Sequence, residues 1–356
     1  VPMIIANHFN NNHIACKEKE YLFFSGTSYL GMNYNTQFRA LIIEGMEQYG
    51  NNYGASRNSN FRLKVYEEAE TALALFTGVP TALTVSSGFM AGQLVVNMLQ
   101  EDNYFVFAPN THPAVCRRQT DFWEGDFQRW AEDITDAIAA LKADKIAIVC
   151  NSNDPLFCKP YSFEWVLSLP EDKKITLVID DSHGIGVTGQ HGEGIYSSIR
   201  HRENINLVVI ASLAKAMGIA GGVVLGADNT ITQLRASSFF GTSSPIAPGY
   251  LYAFIKAGRV YSDARKQLGE NIGLFNSLLP NRDMFDALSG YPVFYTDRHS
   301  LSGFLNQHGI LISSFSYPRS EGAIVTRIIM NSDHTKKDIE YLAHCLRLFE
   351  YQNVRI

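Results

Sequence analysis

Residues 176–194, TLVIDDSHGIGVTGQHGEG, decide how the rest of the chain is read. The opening Thr176-Leu177-Val178-Ile179 is apolar and partly β-branched, which predicts a strand buried on both faces. It runs straight into Asp180, Asp181, Ser182 and His183, so an acid and an imidazole are delivered at a strand end. The glycines that follow satisfy G-x-G-x-x-G, with Glu203 at about the distance of a ribose contact, as in a dinucleotide-binding turn. That turn needs a helix to begin inside it, and Gly192 and Gly194 stand where helix formers belong. The carboxylate and imidazole are the more informative feature, because an acid at a buried strand end calls for a cation. An Asp that merely caps the next loop is the bland alternative.

Outward from this stretch, apolar runs at 81–84, 104–107, 145–150, 176–180, 207–211 and 222–225 alternate with helical patterns at 38–48, 64–76, 90–99 and 133–141. Continuous apolar strands between helices predict an α/β fold whose mostly parallel sheet is flanked by helices. A helical stretch follows from Pro248 to about Leu279, then strands at 292–296, 310–313 and 323–329 and a closing helix at 335–351, which reads as a small α+β domain. The expected organisation is an N-terminal arm (1–35), a large domain (36–250), and a long helix with the small C-terminal domain (251–356).

With 30 Lys+Arg against 35 Asp+Glu the formal net charge is −5, too weak a balance for electrostatic binding of nucleic acid. Residues 71–100 hold no Asp, Glu, Lys or Arg, and residues 204–227 hold Lys215 alone. The first run is cut by Gly78-Val79-Pro80 and Ser86-Ser87-Gly88, and the second by Lys215 and Gly221-Gly222, so both predict buried core and not membrane spans. Five cysteines, odd in number and without a C-x-x-C pair, fit reduced thiols in a cytoplasmic protein and give no zinc signature. No basic, then apolar, leader is visible at the N-terminus, although a chain starting at Val is compatible with trimming.

In an open parallel sheet, ligands bind at the carboxyl ends of the strands, and four such ends carry chemistry. Lys215 follows the run 207–211; burial would lower its pKa and suit it to Schiff-base formation, while a snorkelling lysine is an equal alternative. Ser86-Ser87-Gly88-Phe89 opens a helix, either as an anion cup or as a plain N-cap. His112 follows the run 104–107, and Asp180 and His183 follow 176–179. A phosphate cup, a carboxylate, an amine and a flat imidazole on one sheet edge are what pyridoxal phosphate requires: an imine partner, an acid for the pyridine nitrogen, a phosphate holder and a cover for the ring.

The chain resembles the α-oxoamine synthase family, the pyridoxal-phosphate acyltransferases that include 8-amino-7-oxononanoate synthase and glycine C-acetyltransferase. The resemblance runs from about Tyr21 to the C-terminus. It rests on Ser28-Tyr29-Leu30-Gly31, Gly54-Ala55-Ser56-Arg57, Ser87-Gly88-Phe89-Met90-Ala91, Asn110-Thr111-His112, Asp180-Asp181-Ser182-His183-Gly184-Ile185-Gly186, Leu213-Ala214-Lys215-Ala216-Met217-Gly218, Thr242-Ser243-Ser244-Pro245 and Arg327-Ile328-Ile329-Met330. It implies the aspartate-aminotransferase fold (fold type I) and a homodimer with shared active sites. It implies a Schiff base from Lys215, which also acts as acid and base. Asp180 would meet the pyridine nitrogen, His183 would lie near the phenolic oxygen and His112 would stack on the ring. Phosphate would be held by Ser87, Gly88, Phe89 and Ser212, with Thr242 reaching it from the neighbouring subunit. The implied reaction is a decarboxylative Claisen condensation of an amino acid with an acyl-CoA.

The substrate contacts depart from the family. Ser28 stands in place of an Asn, and the stretch Ser314-Phe315-Ser316-Tyr317-Pro318 in place of a carboxylate-clamping Arg, with Arg319 nearby. Phe61 replaces a glycine, and Asn151 to Asp154 lack the family's S-M-D-G-D pattern. Arg57 is left as a further candidate for the carboxylate. An aminotransferase or aldolase-like reaction without a CoA step, and a non-catalytic cofactor-binding paralogue, remain as alternatives.

Overall fold

The computed structural model describes residues 5–6, 8–10, 12–16, 19–317 and 322–353. Its strands are β1 (His8–Asn10), β2 (His13–Cys16), β3 (Lys19–Phe24), β4 (Thr81–Val85), β5 (Tyr104–Phe107), β6 (Lys145–Asn151), β7 (Lys174–Asp180), β8 (Ile205–Ser212), β9 (Gly222–Gly226), β10 (Asp286–Ala287), β11 (Val293–Thr296), β12 (Ile310–Ser316) and β13 (Ile324–Ile329). The chain divides into two compact units, one of residues 36–153 and 161–258, the other of 1–35, 154–160 and 259–356.

The first unit is built on a six-stranded sheet in the order β4-β9-β8-β7-β6-β5. Strands β5 to β8 are parallel, and β9 runs antiparallel to both β8 and β4, so β4 points the same way as β8. The α/β class expected from the sequence holds. The reversal of β9 follows from its connection, because residues 213–221 are too few for the crossover that a parallel neighbour needs. The carboxyl ends of β4 to β8 therefore share one edge.

Register then decides what faces the site. Val149, Val178 and Val208 lie abreast on β6, β7 and β8. With Ile210, Leu83, Val85 and Val224 they form one core with Ala91, Leu94 and Val95 of the helix Gly88–Leu99. Each such buried side chain contributes about 1.5–3 kcal/mol, so the helix is held firmly on this face. Side chains repeat on a face every second residue. Two positions past Val149, Val178 and Ile210, the same face carries Asn151, Asp180 and Ser212 at the carboxyl edge.

The helix Phe127–Ala139 begins earlier than the expected 133, because Asp126 caps it by accepting the Arg129 N–H at 2.8 Å. The expected stretch 248–279 is two helices, Pro248–Lys256 and Gly258–Leu278. In the second unit a seven-stranded sheet runs β1-β2-β3-β12-β13-β11-β10. Here Leu22, Phe23 and Phe24 pair in parallel with Ile310, Leu311 and Ile312, so the N-terminal segment belongs to the same sheet as the C-terminal strands. The closing helix Lys336–Asn353 buries Ile339, Leu342, Ala343 and Leu346 along one stripe.

Candidate active site

Asp180 ends β7, with β6 Asn151 as its register partner on one side and β8 Ile210 on the other. It is 7% exposed; Oδ1 accepts the Ser182 N–H at 2.9 Å, and Oδ2 lies 3.9 Å from His112 Nδ1. His112 is fixed by its own loop: Ala114 N–H donates to Nδ1 at 3.1 Å, and the His112 N–H donates to Asn151 Oδ1 at 3.0 Å. Asn151 Nδ2 in turn donates to the carbonyl of Asn110, a residue in the left-handed region at φ 57°. Burial holds the His112 imidazole below its ordinary pKa, Asp180 opposes that shift, and the ammonium of Lys215 reinforces it. Asp180 and Lys215 thus both lie within electrostatic reach of His112.

Lys215 lies in the loop between β8 and β9 and is half-buried, not sunk in the core as its apolar flanks suggested. The apolar neighbours Leu213, Ala216, Met217 and Ile219 take the interior instead. The loop is closed by Leu213 N–H to Gly221 O at 2.9 Å, Ile219 N–H to Leu213 O at 2.9 Å, and a left-handed Gly218. Ser182 Oγ accepts the Ser212 N–H at 2.8 Å, which ties the β7 end carrying Asp180 to the β8 end that leads into Lys215. His183, half-buried, follows in the turn after Asp180.

The third component is the start of the helix Gly88–Leu99. Ser87 is its N-cap, and Oγ accepts the Met90 N–H at 3.0 Å, so the plain-cap reading holds for that oxygen while its O–H remains a donor. Ala91 N–H bonds to Ser87 O, which leaves the amides of Gly88 and Phe89 as the open donors of the first turn. A Cβ on Gly88 would stand 2.5 Å from the Cβ of Ser212, and one on Gly222 would stand 2.2 Å from the Ser87 carbonyl oxygen. Both glycines are thus required for the β4, β8 and β9 ends to close on each other. Phe89 turns its ring outward at 63% exposure. Thr242 is exposed and its hydroxyl donates to Ser238 O at 2.9 Å; its neighbour Gly241 is tied by its carbonyl to Ser56 Oγ at 2.5 Å.

The glycine-rich run after His183 is not a dinucleotide turn. No helix begins within it, and it forms successive turns with Gly186, Gly189, Gly192 and Gly194 at φ between 80° and 88°. It wraps Asp181, a residue the sequence reading had not singled out. Asp181 is 2% exposed, and Oδ2 accepts the Ile195 N–H at 2.9 Å. Burial pushes its carboxyl up to about 7.

Arg57 does not serve as a carboxylate clamp. It is 4% exposed and pairs bidentately with Glu70, at 2.8 and 3.1 Å, with a further bond to Thr84 Oγ1. Glu70 also accepts Arg235 at 2.9 Å and the Thr84 N–H at 2.8 Å. Burial alone would raise the Glu70 carboxyl, but the two guanidiniums outweigh it and hold it low. In the second unit Ser316 is half-buried on β12, and the half-buried Ser28 has a sequestered Oγ without a hydrogen-bond partner. Arg319 lies outside the described residues. Arg327, 6% exposed, donates through one terminal nitrogen to Pro155 O while its Nε–H is unspent, so within its own unit it is a buried cation with capacity for an anion. Its place on a strand between Thr326 and Ile328 gave no sign of that spare donor.

Among the described residues no cluster of His, Cys, Asp and Glu could hold a metal ion, and no helix is long and apolar enough to cross a membrane. The model of the family described as aminotransferase class I and II matches residues 22–346. An 8-amino-7-oxononanoate synthase of Dechloromonas aromatica is 29% identical over 348 residues, covering 91% of this chain and 88% of that protein. Among solved structures, a serine palmitoyltransferase from S. paucimobilis superposes with a TM-score of 0.83 at 15% identity, covering 99% of this chain and 94% of that one. An 8-amino-7-oxononanoate synthase from Francisella tularensis gives 0.70 at 21% identity, with 94% and 99% covered. The chain belongs to the class I and II aminotransferase family, in the α-oxoamine synthase branch that its motifs resemble.

Proposed function

We propose that the chain is a pyridoxal-phosphate-dependent acyltransferase that condenses an amino acid with an acyl-CoA, with loss of CoA and carbon dioxide. The observation that carries the reading is that His112 lies within electrostatic reach of both Asp180 and Lys215, on the sheet edge that also carries Ser87 and Gly88. Bound there, the cofactor supplies an electron-withdrawing ring that stabilises negative charge at the amino acid's α-carbon.

The residues fit that group. The open amides of Gly88 and Phe89, with the Ser87 hydroxyl, suit a phosphate at a helix N-terminus, and the close approach is kept by Gly88 and Gly222, where any added Cβ would push the backbones apart. Asp180, buried, with one oxygen spent on Ser182 and the other directed near His112, suits a protonated ring nitrogen. His112, whose imidazole burial holds below its ordinary pKa, offers a flat face able to cover a ring, and Lys215 Nζ is the amine that would join the cofactor's aldehyde and then move the proton at the α-carbon. His183 stands one turn beyond Asp180, at the phenolic side in this reading. Thr242, exposed and away from its own chain's strand ends in bonding, suits a contact made across a homodimer, and a cytoplasmic location agrees with five unpaired cysteines.

The test is to incubate the loaded protein with amino acids and acyl-CoA thioesters. Coupled release of thiol and carbon dioxide is the expected result. Amino-group transfer to a keto acid with no thiol release for any pair would place the chain with the aminotransferases, and neither activity would leave a non-catalytic cofactor binder.

A further inference from the structure

Behind the site lies a second acid that the reaction does not touch. Asp181 donates its N–H to Ile210 O at 2.8 Å, and its carbonyl accepts the N–H groups of Gly184 and Ile185, so its backbone is locked to β8 and to the following turn. Its side chain is hemmed by two glycines: a Cβ on Gly184 would stand 1.9 Å from Oδ1, and one on Gly194 would stand 2.2 Å from Oδ2. No water-sized space is left beside either oxygen on those sides. Oδ2 takes the Ile195 N–H, while Oδ1 accepts no hydrogen bond. Among the described residues no Lys, Arg or His is paired with it, and the charged group beside it is the carboxylate of Asp180. On the loop packed against it, Glu193 is spent on the N–H groups of Gln190 and His191. The ends of β6 and β8 present the Ser152 hydroxyl and backbone groups.

A buried carboxylate with one amide donor, no cation and another carboxylate next to it is poorly placed as an ion. We propose that Asp181 is a positioning residue that carries a proton on Oδ1, the buried oxygen without a hydrogen-bond partner, so that the negative charge of the strand end rests on Asp180 alone. The direction of its shift agrees: burial raises it, Ser152 and the Ile195 N–H favour the ion, and Asp180 opposes the ion. As pH rises past neutrality the proton leaves and a second negative charge appears beside Asp180. The consequence for the cofactor rests on the reading of Asp180 given above; the protonation itself does not.

Infrared spectroscopy of the purified chain tests it without any cofactor chemistry. On the acid side of neutrality, the spectrum of the protein minus that of Asp181→Asn is expected to contain the C=O stretch of a protonated carboxylic acid. Asp180→Asn should retain that band, and mildly alkaline pH should remove it. A difference spectrum with carboxylate bands only, at the same acid-side pH, overturns the proposal. Should Asp181→Asn fail to fold, Asp181→Glu decides: a difference spectrum against the unaltered chain with no feature in the protonated-acid C=O region overturns it. A chain that never binds pyridoxal phosphate would remove the functional reading and leave this band in place, so the two failures are distinguishable.

Discussion

A Cβ on Gly88 would come within 2.5 Å of the Cβ of Ser212, so the first residue of the helix Gly88–Leu99 and the last residue of β8 touch with no room for a methyl group. This contact brings the amide donors of the helix start to the strand end that leads into Lys215. Gly88→Ala is expected to push the two apart and to weaken pyridoxal phosphate binding by about tenfold or more, equivalent to about 1.4 kcal/mol. Fluorescence titration with the cofactor measures it, and unchanged affinity would mean that the phosphate sits elsewhere.

Arg57 is a structural cation in this fold. Arg57→Met leaves Glu70 buried with Arg235 as its remaining guanidinium partner, and removing one member of a buried pair costs about 3–5 kcal/mol. A lowered thermal midpoint with little change in KM for the amino acid is the expected pattern. A raised KM with unaltered stability would return Arg57 to the substrate site.

Asn151→Ala removes both the acceptor for the His112 N–H and the donor to Asn110 O. Buried groups left unpaired cost about 1–3 kcal/mol, and the loop bearing His112 should lose its fixed position. Hydrogen exchange at the His112 amide should rise and kcat should fall, whereas an unaffected exchange rate would contradict the role given to Asn151.

How much of this was legible in the sequence depended on range. Strand β5 was read to the residue and β4, β6 and β8 to within two, because buried parallel strands are written as unbroken apolar runs. Lys215, Asp180 and His112 became candidates for the same reason, since each stands at or shortly after the end of such a run. Strands β1 to β3 were not, because they are short and half-exposed, and β3 is fixed by pairing with β12, almost 300 positions further along the chain. Asp181 was overlooked because its neighbour accounts for the motif; that it fills the space between Gly184 and Gly194 shows only in three dimensions. Arg57 and Arg327 were misjudged or passed over because a sequence does not show whether a guanidinium's donors are spent.

The pH dependence of stability should carry the signature of Asp181. Its carboxyl lies at about 7 in the folded chain against an ordinary value of 3.8, so the folded state binds the proton more tightly than the unfolded state does. Stability from this group is therefore fully present below about 4 and is lost as pH rises toward 7, by an amount on the order of a few kcal/mol. Asp181→Asn should flatten that slope in chemical denaturation series run across the window. A slope of the same size in the variant would assign it to other groups.

Lys215 is the residue through which pyridoxal phosphate would be held covalently. The purified chain mixed with pyridoxal phosphate should develop a visible absorption band that borohydride fixes covalently, with the added mass mapped to Lys215 by peptide mass spectrometry. Lys215→Ala, equally folded, should show no band that borohydride can fix. If that variant still yields a borohydride-fixed chromophore, the amine that holds the cofactor is another residue and the site described here is not the active site.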